Sequence, residues 1–379
     1  MAPEGATWGY SLHRARYPLL FISLLTLTVA AWLGLIRLGW GLPPLRLGLP
    51  AEHGPLMISG FLGTLIGLER AVALAALGKR WAYAAPMLSG LGSLLLMFGL
   101  PEFAAIVLIT AGSLVLVAVF VSIFRRQPAM FNAVMVLGAA AWATGNVMWL
   151  RGQPVYDVVW WWAGYLILTI AGERLELSRL MRVSGIATKL FLGFAGLYLL
   201  GLLMLSAGRL FDAALRVIGV SMLALALWLL RYDIARRTVR RTGLTRFIAV
   251  NLLLAYTWLA VAGLLAMAMG RVAAGPHYDA LLHAVFLGFV FSIIFGHAPI
   301  IFPAVLGVQM TYRPAFYGHV ILLNLSLLLR LAGDLAGWPG IRQWGGLLNL
   351  AALLLFLANT LWSIRRPGTS PAPSDAALG

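Results

Sequence analysis

The sequence predicts an all-α polytopic membrane protein of about twelve transmembrane helices. Three observations carry this. The 379-residue chain is 61% hydrophobic and only 11% charged, where soluble domains carry about 25% charged residues. Apolar runs recur from Tyr17 almost to the C-terminus, each near the ~20 residues that cross a bilayer. The connections between them are short, so no soluble domain fits among them.

The expected spans run roughly 18–37, 55–77, 81–100, 103–124, 130–150, 157–178, 186–206, 213–230, 247–270, 278–303, 315–333 and 343–364. The first leads directly into further apolar runs and has no small-residue cleavage site before a polar domain. It therefore reads as a span, not a signal peptide. A Pro/Gly-rich connection from Gly41 to Pro50 follows. Gly54-Pro55 then looks like the start of the second helix, with Pro at its first position. Gly99-Leu100-Pro101, Gly152-Gln153-Pro154, Gly275-Pro276 and Trp338-Pro339-Gly340 punctuate later turns. Trp160-Trp161-Trp162, early in the sixth span, fits an interfacial aromatic belt. Residues 1–366 read as a single transmembrane domain, and the Pro/Ser/Ala-rich tail 367–379 as disordered.

Basic residues set the expected orientation. Arg14, Arg16, Lys79, Arg80, Arg125, Arg126, Arg179, Arg182, Lys189, Arg231, Arg236, Arg237, Arg240, Arg241, Arg246, Arg313, Arg365 and Arg366 all fall on one side, and they are most of the 28 Lys and Arg. The positive-inside rule makes that side cytoplasmic and places both termini there. The net charge of +16 is thereby accounted for by topology, without nucleic acid as a partner. Cysteine is absent, which excludes disulfides, iron–sulfur clusters, thiolate haem ligation and thiol catalysis.

Ionisable groups inside spans are costly and mark functional sites. Span 2 carries His53 at one end and Glu69-Arg70 toward the other. Span 6 carries Glu173, Arg174 and Glu176, span 10 carries His283 and His297, and span 11 carries His319. Spans 2, 6 and 10 run in the same direction, so His53 and His283 share an outer layer. His297 lies 14 residues beyond His283, about 21 Å further in at 1.5 Å per residue. His319, Glu69, Glu173 and Glu176 fall at that inner depth. The segment "IGLERAVAL" of span 2 also echoes "IAGERLELS" of span 6, which suggests four-helix units arranged around a shared interior.

Each layer offers chemistry. Two imidazoles across a bundle can hold a b-type haem axially, and without Cys, His is the main strong axial donor left. His53 and His283 are the candidates. The alternative makes His53 an interfacial residue and leaves the nearby glycines to helix packing. In the inner layer His297, His319, Glu69, Glu173 and Glu176 form a donor set for one or two non-haem metal ions, iron or copper. Glu69 and Glu173 are candidate catalytic groups there. The alternative is local pairing of Glu69 with Arg174 and Glu173 with Arg70, or a proton path through the Glu residues. Tyr165, Tyr256 and Tyr317 could donate protons or radicals, and nothing distinguishes one among them. His13 and His277 read as solvated.

Several motifs bear a family resemblance. His53, Met57, Gly60 and Phe61, as H-x3-M-x2-G-F, resemble the second span of the NnrS family. "LLHAVFLGF", with His283 and Gly288, is similar to that family's late His-bearing span, and "RARYPLLF" to its entry into span 1. "TIAGERLELSRL" stands where that family has a Gly-Gly-Arg segment. The resemblance implies a twelve-span haem membrane protein connected with nitric oxide, with copper also present in the family. It further implies a distant likeness to the catalytic subunit of haem-copper oxidases and nitric oxide reductases. Pro55 stands where the family has a second His, and its later Gly-His-Thr-Gly motif is missing. The His-His and His-Pro-Glu-Val signatures of oxidases are also absent, which argues against an oxygen-reducing oxidase.

The resulting expectation is a haem-binding redox protein of a bacterial inner membrane, acting on nitric oxide or a related gas. It would be nitric oxide reductase-like or another small-gas oxidoreductase, fed by quinol or a small electron carrier. A proton-coupled transporter of a metal, haem or small anion is the alternative. A haem-binding sensor or assembly factor without turnover is a third.

Overall fold

The structure is a computed structural model that describes residues 5–208 and 210–365, with side chains from Arg16 to Ile364 apart from residue 209. The tail 367–379 and the His13 side chain lie outside the described residues. Among the described residues, twelve helices are long and apolar enough to cross a membrane. They are α1 (Arg16–Arg37), α2 (Leu49–Ala75), α3 (Arg80–Phe98), α4 (Glu102–Arg126), α5 (Met130–Leu150), α6 (Val155–Met181), α7 (Gly185–Ser206), α8 (Phe211–Tyr232), α9 (Gly243–Met269), α10 (Gly275–Leu306), α11 (Phe316–Ala336) and α12 (Pro339–Ser363). They match the expected spans to within a few residues, except at the start of α2. The chain is an all-α integral membrane protein. Its extended structure, among the described residues, is one antiparallel bridge pairing Gln309 with Arg365 and Met310 with Ile364.

Helices suit this sequence because a span in lipid must satisfy its own backbone polar groups. Between helices, lipid supplies no hydrophobic drive, so close approach rests on small residues. Gly219 on α8 and Gly263 on α9 show this: a Cβ added to either would lie 2.7 Å from the other's carbonyl oxygen. Left-handed glycines close helices where the chain must turn. Gly99 ends α3, Gly307 ends α10 and Gly337 ends α11. The Ser184 side chain caps α7 by accepting from the Ala187 amide at 3.2 Å.

Three helices sit deepest. The buried share is 83% for α6, 67% for α10 and 61% for α2, and no other helix exceeds 56%. These are the helices four apart that carry the polar candidates. The bundle interior is therefore built around the site-bearing segments.

Both α2 and α10 leave the α-helical path at the same relative place. Right after His53-Gly54-Pro55, α2 becomes π-helical over Leu56–Gly63. Right after His283, α10 becomes π-helical over Ala284–Phe291. Such segments are rare and cluster at functional sites. In α2, displaced carbonyls find new donors: Ser89 Oγ donates to the Ser59 carbonyl at 2.7 Å, and Ser23 Oγ to that of Phe61 at 3.1 Å. Gly63 and Gly288 each face an indole, Trp142 and Trp258, at 2.5 Å from where a Cβ would stand.

The start of α2 corrects the sequence reading. The helix opens at Leu49 in a 3-10 turn, not at Gly54-Pro55, so His53 lies inside the helix. Pro50 supplies the proline near the N-terminus of that turn. Its fixed φ suits helix entry in the same way.

A candidate bis-imidazole cofactor site

His53 and His283 meet. Their ring centres are 6.3 Å apart and the ring planes differ by 28°. About two turns further along, Phe61 and Phe291 stack at 5.7 Å and 18°. Each His stands eight residues before its Phe, and each Phe lies within the π-helical segment. The two helices thus present matched His–Phe faces to one another.

Both imidazoles are held from behind. The Nδ1 of His53 lies 2.7 Å from the Ala30 carbonyl. The Nδ1 of His283 lies 2.8 Å from the Asp279 carbonyl. A carbonyl only accepts, so each Nδ1 carries a proton, and in the neutral ring Nε2 keeps the lone pair. Among the described residues neither Nε2 has a hydrogen-bond partner. This is the tautomer that ligates a metal, with the second nitrogen orienting the ring.

The rings open into a cavity of about 660 Å³, within the usual size range of cofactor and ligand sites. Met57, Leu62, Phe286 and Leu353 are among its apolar walls. Its charged walls are Arg37, Asp279, Arg330 and Arg342. Arg330 grips Asp279 through Nε and Nη2, both at 2.8 Å. Arg342 stands 2.7 Å from the fully buried Asp334 and 3.8 Å from Asp279. Arg37 lines the cavity without a carboxylate partner among the described residues.

This cluster escaped the sequence reading, which counted neither Asp279 nor Arg330 as interior. The available signal was spacing: Asp279 stands four residues before His283, on the same helical face.

Two imidazoles fix which group suits the cavity. A bare first-row metal ion wants three or more protein donors, whereas a porphyrin brings its own four. Two imidazoles ligating one metal from opposite sides at roughly 2 Å hold their ring centres about 6 Å apart. The observed separation fits that arrangement.

The other end of the bundle looks different. Arg70 pairs with Glu173 and lies 3.8 Å from Glu69, tying α2 to α6. Arg174 is buried and donates through Nε to Asp233 at 2.9 Å. Its Nη1 stands 3.1 Å from His297 Nε2. Since Arg only donates, His297 accepts there, while its Nδ1 donates to the Ile293 carbonyl at 2.9 Å. Asp233 Oδ1 accepts from the Ala235 amide at 2.7 Å. His319 is buried among Phe295, Phe316, Phe247 and Phe356, with Asn359 at 3.2 Å from Nδ1. Glu176 is half-buried and has no ion pair among the described residues.

The five inner-layer candidates do not converge. Among the described residues no group of three or more His, Asp or Glu could hold a metal ion. His297, His319, Glu69, Glu173 and Glu176 as placed therefore do not fit a metal site. The Glu173–Arg70 pairing of the alternative reading is present. Arg174 takes Asp233 in place of Glu69, because Asp233 is fully buried and needs a cation. Tyr165 and Tyr256 are fully buried, and neither hydroxyl has a hydrogen-bond partner among the described residues. Tyr317 packs edge-on against Phe247 at 5.3 Å.

Residues 16–365 match the family model described as "Domain of unknown function (DUF8744)". The chain belongs to that family. The match spans every helix from α1 to α12, so the imidazole pair and the inner ion pairs both lie within the DUF8744 region. No curated protein and no solved structure matches the chain.

Proposed function

We propose that this DUF8744 protein is a haem-binding redox protein of a bacterial inner membrane that acts on nitric oxide or a related small gas. The observation that carries this is the facing pair of His53 and His283, each with its Nε2 unpartnered and its Nδ1 tied back. A bound haem would supply one-electron chemistry and, where one imidazole gives way, a site for a diatomic ligand. The chain's own groups do the rest. Ala30 and Asp279 fix the tautomer of the two imidazoles. Met57, Leu62, Phe286 and Leu353 exclude water. Arg37 puts positive charge on the cavity wall that would suit an anionic group of the cofactor, while Arg330 and Arg342 are spent on Asp279 and Asp334.

The distribution of Lys and Arg supports cytoplasmic termini and a cavity toward the outer face. The likeness of the His53 and His283 segments to NnrS supports nitric oxide among the small gases. Electrons would come from quinol or a small carrier. No role as a metal site is assigned to the inner layer, whose donors are already paired or scattered.

The test is a dithionite-reduced minus oxidised optical spectrum of the purified full-length protein. Sharp low-spin b-type bands are expected, lost in His53→Ala and in His283→Ala. A featureless spectrum from protein expressed with ample haem would sink the reading.

A further inference from the structure

The two imidazoles differ behind the ring. His283 Nδ1 donates to the Asp279 carbonyl at 2.8 Å and lies 3.3 Å from Oδ1 of the same residue. That carboxylate is locked by Arg330 through both oxygens, at 2.8 Å each. His53 has only the neutral Ala30 carbonyl, at 2.7 Å. A carboxylate behind a ligating imidazole raises its basicity and fixes its orientation. A neutral carbonyl orients the ring without adding charge.

The walls beside the rings differ too. Small residues, Ala31, Gly34, Ala51 and Gly54, line the cavity on the α1 and α2 walls, and Gly34 packs against the His53 ring, where a Cβ would stand 2.9 Å from Cε1. Larger side chains, Phe286 and Leu287 of α10 and Arg330 of α11, line its α10 and α11 walls.

We infer, resting on the haem reading above, that Asp279 makes His283 the permanent axial ligand and leaves His53 as the exchangeable one. A small neutral diatomic such as carbon monoxide or nitric oxide then enters on the α2 side. The exchange breaks one metal–imidazole bond and forms one metal–diatomic bond, and no electron is transferred. His53 keeps its Nδ1 proton on the Ala30 carbonyl throughout. Asp279 acts through His283 and is a positioning residue.

The experiment uses full-length protein in detergent, reduced with dithionite and titrated with carbon monoxide. His53→Ala should retain its haem in a five-coordinate, high-spin form. It should bind carbon monoxide more tightly than wild type, because no internal imidazole competes for the position. His283→Ala should lose its haem. Asp279→Asn should keep both imidazoles and its low-spin spectrum but shift its midpoint potential upward, since a less basic imidazole stabilises the oxidised metal less. Retention of haem by His283→Ala together with its loss from His53→Ala would overturn the inference. So would identical behaviour of the two variants, or an unmoved potential in Asp279→Asn. Should His283→Ala aggregate on size exclusion, His53→Ala and Asp279→Asn decide the matter. Wild-type protein without haem bands would remove the haem reading itself, a separate result from any of these.

Discussion

The two ends of the α2–α6–α10 core carry the same residue types and use them in opposite ways. At one end two histidines face a cavity with their Nε2 atoms unspent. At the other, His297 donates to its own helix and accepts from Arg174, while His319 sits in a box of phenylalanines. The difference lies in the neighbours. Ala30 and Asp279 occupy only the rear nitrogen of each ring and leave the front one without a partner among the described residues, in rings that line the cavity. Arg174 occupies the front nitrogen of His297. A histidine inside a membrane is thus left open to a ligand or spent as a strut according to which nitrogen its surroundings consume.

Breaking the strut should have the largest effect on stability. Asp233→Ala strands the buried Arg174 guanidinium, and removing one partner of a buried pair typically costs about 3–5 kcal/mol. Unfolding in detergent should show that loss. Wild-type stability in this variant would mean that the inner end is not held by this pair.

Crowding the ligand end comes next. A Cβ at Gly34 would stand 2.9 Å from His53 Cε1. Gly34→Ala should cost about 1–3 kcal/mol, as overpacking does, and should disturb the low-spin spectrum because it displaces one ring. Gly288→Ala, which meets Trp258, should cost stability on the same scale without touching either imidazole directly. If Gly34→Ala leaves the spectrum intact while Gly288→Ala alters it, the packing around His53 has been misassigned.

Variants at the inner histidines sharpen the contrast. His297→Ala and His319→Ala should leave the haem bands and the metal content unchanged. A second metal lost from either variant on elemental analysis would reverse the comparison between the two ends.

The smallest effect should come from the half-exposed carboxylates. Glu69 stands 3.8 Å from Arg70 with 31% of its side chain exposed. Such a pair is worth roughly 0–1 kcal/mol, and Glu69→Gln should change stability by no more than that. Glu176→Gln should be silent within about 0.5 kcal/mol.

Much of this was readable from composition and spacing. The twelve spans followed from the length of the apolar runs, because a bilayer imposes one length on every crossing. The pairing of His53 with His283 followed from shared direction and depth. The π-helical segments were not readable. Their hydroxyl donors Ser23 and Ser89 come from other helices, and the indoles of Trp142 and Trp258 pack from neighbouring ones. Asp233 was missed because it lies just past α8, and its burial comes from packing around Arg174.

Depth along each helix was thus set by the sequence alone, since 1.5 Å per residue in a fixed slab leaves little freedom. That placed His53 with His283 and His297 with the glutamates. What only the tertiary structure decided is rotation and partnership. Depth brings groups into a layer but does not turn them toward one another. The orientation comes from which faces pack, from the π-helical segments that rephase α2 and α10, and from the charges each buried Arg must find. Those choices leave one imidazole pair free and spend the other polar groups on holding the bundle together.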